Sequence, residues 1–134
     1  MNERIKVYEQ AIEYQYHTIH YYGQLQKQME DSTASILIEQ IRKDKMKHLR
    51  VLQEIHNYYT GMCYQSQTPC TLVCEKESLQ EIEKSLFREN ENVRMYRSLY
   101  FGSTDTPVRD RLYDLVADTQ EHAIQLTYLY ARLK

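Results

Sequence analysis

Apolar residues recur along this chain at alternating intervals of three and four positions, in four long segments. That spacing places them on one side of an α-helix, where they can pack against neighbouring helices. The segments are separated by residues that start or stop helices, in the stretches 31–33, 60–61 and 101–107. The pattern predicts helices over about residues 3–30, 33–60, 76–101 and 106–133.

Local signals specify how these helices begin and end. Ser32 is predicted to cap the second helix, and Gly61 to end it in a left-handed turn. Ser78 with Glu81 forms a capping-box pattern at the start of the third helix, and Pro107 occupies the first turn of the fourth.

One connection, over roughly residues 61–75, is long, and it lies between the second and third helices. A single long crossover at that place is one of the known ways of connecting a four-helix bundle. We therefore expect an all-α protein, with one domain spanning residues 1–134 and folded as an antiparallel four-helix bundle. In the third helix the apolar stripe predicts that Leu79 and Leu86 are buried.

Every apolar stripe is interrupted near its middle by polar residues. Helical spacing places the interrupting side chains on the inner faces of their helices, so they are expected to meet in one layer of the bundle. The interrupting residues are Gln15, Lys45, His48, Glu89, Thr119 and His122.

The polar positions repeat at a constant offset of 74 residues. Each half of the chain has a polar residue, a tyrosine seven positions later, and then an Asp-x-x-x-His helix, which predicts approximate two-fold symmetry around the polar layer. The repeated pairs are Gln15 and Glu89, Tyr22 and Tyr96, Asp44 and Asp118, Lys45 and Thr119, and His48 and His122.

A Glu-x6-Tyr helix followed by an Asp-Glu-x-x-His helix, twice in one chain, is the pattern of the ferritin-like superfamily and its rubrerythrin-type di-iron proteins. This sequence resembles that pattern over nearly its whole length. The resemblance implies a site in which four glutamates and two histidines hold two iron atoms. It assigns Glu89, His48 and His122 to ligand positions, and Asp44 and Asp118 to outer-shell partners of the histidines.

Three ligand positions of that pattern hold other residues here, namely Gln15, Lys45 and Thr119. One carboxylate and a cation would not offset the charge of two iron atoms. We therefore expect at most one metal ion, iron or zinc, or none, with Glu89, His122 and His48 as the ligands that remain.

An ammonium group that projects into a core must be paired or lose its charge. Lys45 is therefore predicted to form a buried ion pair with Glu89. Gln15, Thr119 and the histidines are expected to complete a hydrogen-bond network around that pair.

Three functions remain open on the sequence. The first is a ferritin-like protein with a remodelled site that acts through assembly or interaction. The second is an oxidase or peroxidase that uses a residual iron site, and the third is a tyrosine-rich structural or coat protein. Whether the chain is an enzyme is left open by these alternatives.

Thirteen tyrosines are present. Tyr22 and Tyr96 are expected to serve as packing residues with hydrogen-bonded hydroxyl groups rather than as redox groups. Other tyrosines lie mostly off the central stripe, and on the first helix they predict a second aromatic face that could form a homodimer surface. Examples are Tyr14, Tyr16, Tyr21, Tyr58 and Tyr128.

Charge and composition narrow the partners. The 17 basic and 19 acidic residues are interspersed, which argues against binding to nucleic acid or anionic membranes. No apolar run has the length of a signal peptide or membrane span, so the expected compartment is the cytoplasm. There Cys63, Cys70 and Cys74 are expected as reduced thiols. The remaining histidines, His17, His20 and His56, are expected at the surface or beside the site and receive no role.

Overall fold

The computed structural model describes residues 2–134, with side chains from residue 3 onward, and it is all-α within that range. Its helices are α1 (Asn2–Gln28), α2 (Ser32–Thr60), α3 (Ser78–Gly102) and α4 (Thr106–Leu133). Each boundary lies within two residues of its predicted position. The prediction of an all-α protein with four helices is confirmed.

Packing joins the helices in sequential pairs. α1 packs mainly on α2, and α3 mainly on α4, while smaller contacts join α2 to α4 and α1 to α3. These contacts are compatible with a four-helix bundle. None of the helices in the described part of the chain combines the length and apolarity needed to cross a membrane.

The start of α2 differs in detail from the prediction. Asp31, not Ser32, is the N-cap residue, and its carboxylate accepts a hydrogen bond of 3.0 Å from the Ala34 amide. A charged acceptor one residue earlier therefore takes the capping role, and Ser32 becomes the first helical residue. At the other end Gly61 has a φ of 73°, which confirms the predicted left-handed turn.

The capping box predicted for α3 is wrong. The N-cap residue is Glu77, which makes no side-chain capping bond, and the Ser78 hydroxyl donates instead to Gln28. Glu81 is turned into the bundle, where its carboxylate accepts a 2.9 Å hydrogen bond from the Tyr21 hydroxyl. A tertiary contact between α1 and α3 thus replaces the local one.

Two apolar clusters fill the interior and lie on either side of a polar layer. The first gathers residues around Ile12, Leu52 and Leu112, and the second gathers residues around Leu25, Ile41 and Leu126. We call the six residues between them along the helices the polar layer, and each of them is at most 1% exposed. Its members are Gln15, Lys45, His48, Glu89, Thr119 and His122.

The apolar stripe on α3 faces inward only in part at its beginning, where Ile82 is buried. Glu81 and Ser85 are buried there, whereas Leu79 and Leu86 are only half-buried. Both buried groups contact the Tyr21 hydroxyl, so a polar contact with α1 sets the rotation of this part of α3. The predicted burial of Leu79 and Leu86 is therefore only partial.

The long connection is held against α1 by one carboxylate. Glu13 accepts hydrogen bonds from the Tyr64 hydroxyl at 2.8 Å, the Ser66 hydroxyl at 2.6 Å, the Gln67 amide at 2.8 Å and the Thr68 hydroxyl at 2.9 Å. Burial would raise the pKa of Glu13, but these hydrogen bonds outweigh it and lower the pKa to about 2. Glu13 therefore anchors the connection as a carboxylate.

His56 was predicted to be at the surface or beside the site. It is only 3% exposed and lies near the end of α2, next to the long connection. Its Nε2 lies 2.9 Å from a carboxylate oxygen of Glu9 on α1. Within the described residues Cys63, Cys70 and Cys74 are free thiols, and burial raises the pKa of Cys74 to about 11.

Several tyrosines of α1 are covered by other parts of the chain. Tyr21 is 1% exposed, and the Tyr16 hydroxyl donates to Gln65 in the long connection. The second aromatic face of α1 is therefore largely covered by α3 and by the connection. Tyr58 and Tyr128 remain exposed, at 66% and 49%.

Candidate functional site: the buried polar layer

Helical spacing positions the polar layer. On α2 the side chains of Asp44, Lys45 and His48 lie within one turn of each other, and α4 offers Asp118 and His122 at the matching positions. α3 adds Glu89 and α1 adds Gln15. All four helices therefore contribute to the layer.

A buried ion pair lies at its centre. Lys45 Nζ is 3.0 Å from Glu89 Oε1, and both side chains are 0% exposed, so the predicted pair is present. Among the described residues the ammonium group makes no hydrogen bond of normal geometry, which leaves the contact mainly electrostatic. Burial would raise the pKa of Glu89, but the charge of Lys45 and the contact with His122 hold it below its ordinary value.

His122 joins this pair to the aspartate of α2. Its Nδ1 lies 2.9 Å from Glu89 Oε1 and its Nε2 lies 2.7 Å from Asp44 Oδ2. Burial would lower the pKa of His122, but the two carboxylates raise it above its ordinary value. His122 therefore lies between two carboxylates, and its contacts with them favour the protonated form of the ring.

His48 makes the equivalent contact in the other half, with Nε2 3.0 Å from Asp118 Oδ2. Burial lowers the pKa of His48, and Lys45 lowers it further in spite of Asp118. Each histidine is thus paired with the aspartate of the opposite helix, and the two rings stack at 5.8 Å. The sequence is symmetric here, but the charges are not, since only His122 faces Glu89.

The predicted network is wrong at Thr119 and Gln15. The Thr119 hydroxyl donates to the Leu115 carbonyl of its own helix at 2.7 Å and so does not reach the ion pair. The Gln15 amide has no hydrogen-bond partner among residues 2–134. A threonine hydroxyl near the backbone readily bonds one turn back, which the sequence pattern alone does not predict.

Tyr22 and Tyr96 are packing residues, at 1% and 0% exposed. The Tyr96 ring meets the His48 ring edge to face at 5.9 Å. Its hydroxyl adjoins the amides of Gln15 and Asn92 but makes no hydrogen bond of normal geometry within the described residues. The expectation of a hydrogen-bonded hydroxyl is therefore wrong for Tyr96.

Two neighbours of the layer were missed by the sequence reasoning. The Tyr14 ring lies 6.0 Å from Lys45 Nζ, and Asn92 is only 3% exposed beside Tyr96. Asn92 is three residues after Glu89 and therefore shares its helical face, which was an available signal. No comparable pattern indicated that Tyr14 lies next to the layer, because it was predicted to lie on the outer aromatic face.

These residues do not fit a di-iron centre. Glu89 is the one carboxylate whose buried oxygens point into the layer's middle, and a lysine ammonium already lies against it. Among residues 2–134 no group of three or more His, Cys, Asp or Glu side chains is arranged to hold a metal ion. Binding of a single ion by Glu89, His122 and His48 stays a prediction. Such an ion would compete with the two carboxylates that already face the nitrogens of His122.

No family model, curated protein or solved structure matches this chain. The interpretation of the layer therefore depends on its own geometry and on the repeat in the sequence.

Proposed function

We propose that this chain is an antiparallel, ferritin-like bundle of rubrerythrin type whose metal layer has been replaced by the Lys45–Glu89 ion pair. It binds at most one metal ion or none, and it acts through assembly or interaction. The observation that carries the proposal is the 3.0 Å contact between two fully buried charges at ligand positions of the resemblance. The lysine ammonium supplies the positive charge that iron would supply in such a site.

The two aspartates support the same lineage. The resemblance gives them outer-shell roles toward the histidines, and each contacts one histidine here. A packed bundle has no need for two histidine–aspartate contacts at its centre, since apolar residues of similar volume are often equally stable there. Two such contacts are expected to remain in a metal site whose other ligands have been replaced.

The outer face of α4 supports assembly into a homodimer. Tyr113, Ile124 and Tyr128 are spaced along one side of the helix and are 60%, 69% and 49% exposed. Aromatic and aliphatic side chains of this kind are enriched at the centres of protein interfaces. Ile124→Asp should convert a dimer to a monomer in analytical ultracentrifugation without changing the helical circular dichroism spectrum.

Iron binding tests the proposal directly. Protein purified without chelator is offered iron(II) anaerobically, and the metal-to-protein ratio is compared for the wild type, Glu89→Ala and His122→Ala. We expect a ratio close to zero in all three. A ratio of about two in the wild type would overturn the remodelled-site proposal. A ratio of about one that both variants lose would instead support the iron-dependent oxidase or peroxidase, and oxygen consumption would then be measured.

A reverse experiment tests the lineage. Gln15→Glu, Lys45→Glu and Thr119→Glu together would restore the missing carboxylates at the positions the resemblance assigns. We expect the triple variant to bind about two divalent ions and to gain thermal stability from them. A triple variant that folds but binds no metal would contradict descent from a di-iron bundle.

Exposed tyrosines favour a second candidate function, a tyrosine-rich structural or coat protein. Tyr58, Tyr113 and Tyr128 are accessible for contacts or oxidative cross-linking. Dityrosine fluorescence after mild oxidation, with loss of the signal in the triple Tyr→Phe variant, would support it. Monomeric protein without cross-links after oxidation would count against it.

A further inference from the structure

An open groove of about 650 Å³ runs between α1 and α3, outside the polar layer. Its size is that of a pocket for a small organic molecule. The residues that matter for its chemistry are Gln10, Tyr14, Phe87, Arg88, Asn92 and Met95.

The groove holds one cation without a counter-charge. Of its other charged residues, Lys84 pairs with Glu81 at 3.0 Å and Glu91 pairs with Arg94 at 3.2 Å. Arg88 makes no ion pair within residues 2–134, and its buried Nη1 has no hydrogen-bond partner there. Its guanidinium stacks over the Tyr21 ring at 4.7 Å, which fixes the position of the charge.

Polar atoms without partners also lie along the inner wall. Asn92 is 97% buried, and both its amide nitrogen and its amide oxygen lack hydrogen bonds of normal geometry. The buried Tyr14 hydroxyl is unpaired as well. The Asn92 amide adjoins the Tyr96 hydroxyl on its inner side, so the Tyr14 hydroxyl and Arg88 Nη1 are the buried groups of the groove that point to a polar partner from outside the chain.

The outer part of the groove is apolar. Phe87 is 61% exposed, and Met95, about two turns further along α3, is half-buried. Exposed aromatic and thioether side chains at a groove favour contact with an apolar ligand, because methionine and phenylalanine adapt to its shape.

From these contacts we infer that the groove binds a small amphipathic carboxylate, such as a medium-chain fatty acid. The carboxylate pairs with Arg88 and hydrogen-bonds toward Tyr14, while the apolar chain covers Phe87 and Met95. An inorganic anion would leave the apolar part uncovered, and a neutral lipid would leave the guanidinium without a counter-charge.

The inference does not depend on the proposed function, because the groove and the polar layer are different sites. Tyr14 separates them, with its ring 6.0 Å from Lys45 Nζ on the inner side. Burial and the nearby charge of Glu89 raise the pKa of Tyr14, so it reaches the groove as a neutral donor.

Decanoate is the probe, and decanol is the neutral control of equal chain length. Each is titrated below its aggregation limit into ¹⁵N-labelled protein, and amide chemical shifts are recorded. We expect saturable shifts with decanoate, confined to residues 10–14 and 84–95. Arg88→Gln should weaken decanoate binding about tenfold or more, because a charge-assisted hydrogen bond is lost. Lys84→Gln, a matched change of a cation already paired with Glu81, should alter it by about twofold or less.

Phe87→Glu provides a second test, because it places a like charge in the groove at an exposed position that tolerates substitution. It should abolish decanoate binding while the spectrum stays that of a folded protein. Equal binding of decanol and decanoate, unsaturable shifts spread over the surface, or unchanged affinity in Arg88→Gln would each overturn the inference.

Discussion

Removing the charge of Lys45 should destabilise the protein far more than removing the charge of a neighbouring surface lysine. At the 3.0 Å separation between Lys45 Nζ and Glu89 Oε1, Coulomb's law with an effective dielectric constant of about 20 gives an attraction of about 5.5 kcal/mol. Lys45→Met keeps the side-chain volume but leaves the Glu89 carboxylate buried without its cation. Such a change typically costs about 3–5 kcal/mol.

We expect the lower end of that range. The His122 Nδ1 atom lies 2.9 Å from Glu89 Oε1 and remains a neighbour of the carboxylate after the substitution, so the predicted loss in the free energy of unfolding is about 3 kcal/mol. With a urea dependence of about 1.5 kcal/mol per molar, the unfolding midpoint should fall by about 2 M. Urea titrations followed by circular dichroism would measure the midpoint and the slope together.

A double-mutant cycle isolates the pair. Glu89→Gln alone leaves the Lys45 ammonium buried and should cost about 3 kcal/mol or more. The double variant Lys45→Met/Glu89→Gln removes both charges and keeps an acceptor for His122, so it should lie within about 1 kcal/mol of the wild type. The coupling energy should therefore be about 5 kcal/mol.

Lys47→Met is the matched control. Its ammonium lies 3.8 Å from Asp118, and its side chain is 54% exposed, so its loss should cost about 0.5 kcal/mol or less. If Lys45→Met destabilised the protein no more than Lys47→Met, or if the two single changes were simply additive, the argument for a buried ion pair would fail.

Three further perturbations probe contacts outside the layer. The lowered pKa of Glu13 means that its hydrogen bonds stabilise the connection above its ordinary pKa of 4.5 and are lost as the pH falls toward about 2. In the wild type, hydrogen exchange at the Gln67 amide should accelerate over that pH range by more than its intrinsic pH dependence. In Glu13→Gln this additional acceleration should be absent. Tyr21→Phe removes a buried donor to the Glu81 carboxylate and should cost about 1–3 kcal/mol in urea unfolding, and no change would refute the contact. Gly61 has a φ of 73°, and a Cβ added there meets no other atom within 4 Å. Gly61→Ala should therefore cost about 1–2 kcal/mol through backbone strain alone, and Gly61→Asn should recover part of that loss.

The sequence predicted the elements well because helix formation and inward-facing positions follow from local spacing. On α4 nearly every residue of the predicted stripe is buried, and Leu133 alone is half-buried. The 74-residue repeat also predicted that Lys45, Glu89 and both histidines lie in one layer. Periodicity fixes which face of a helix turns inward, and these predictions needed no more than that.

Beyond the Lys45–Glu89 pair, the tertiary structure decided which polar groups meet. Asp44 contacts His122 on α4 rather than a group within α2. Glu81 was predicted to cap α3 but instead accepts a hydrogen bond from Tyr21 on α1. Such choices depend on the rotation and distance between helices, and a difference of a few ångströms decides whether two polar atoms bond. The loss of symmetry between the two histidines has the same origin, because Glu89 reaches the ring of His122 and its counterpart at the matching position of α1 is an uncharged amide, Gln15.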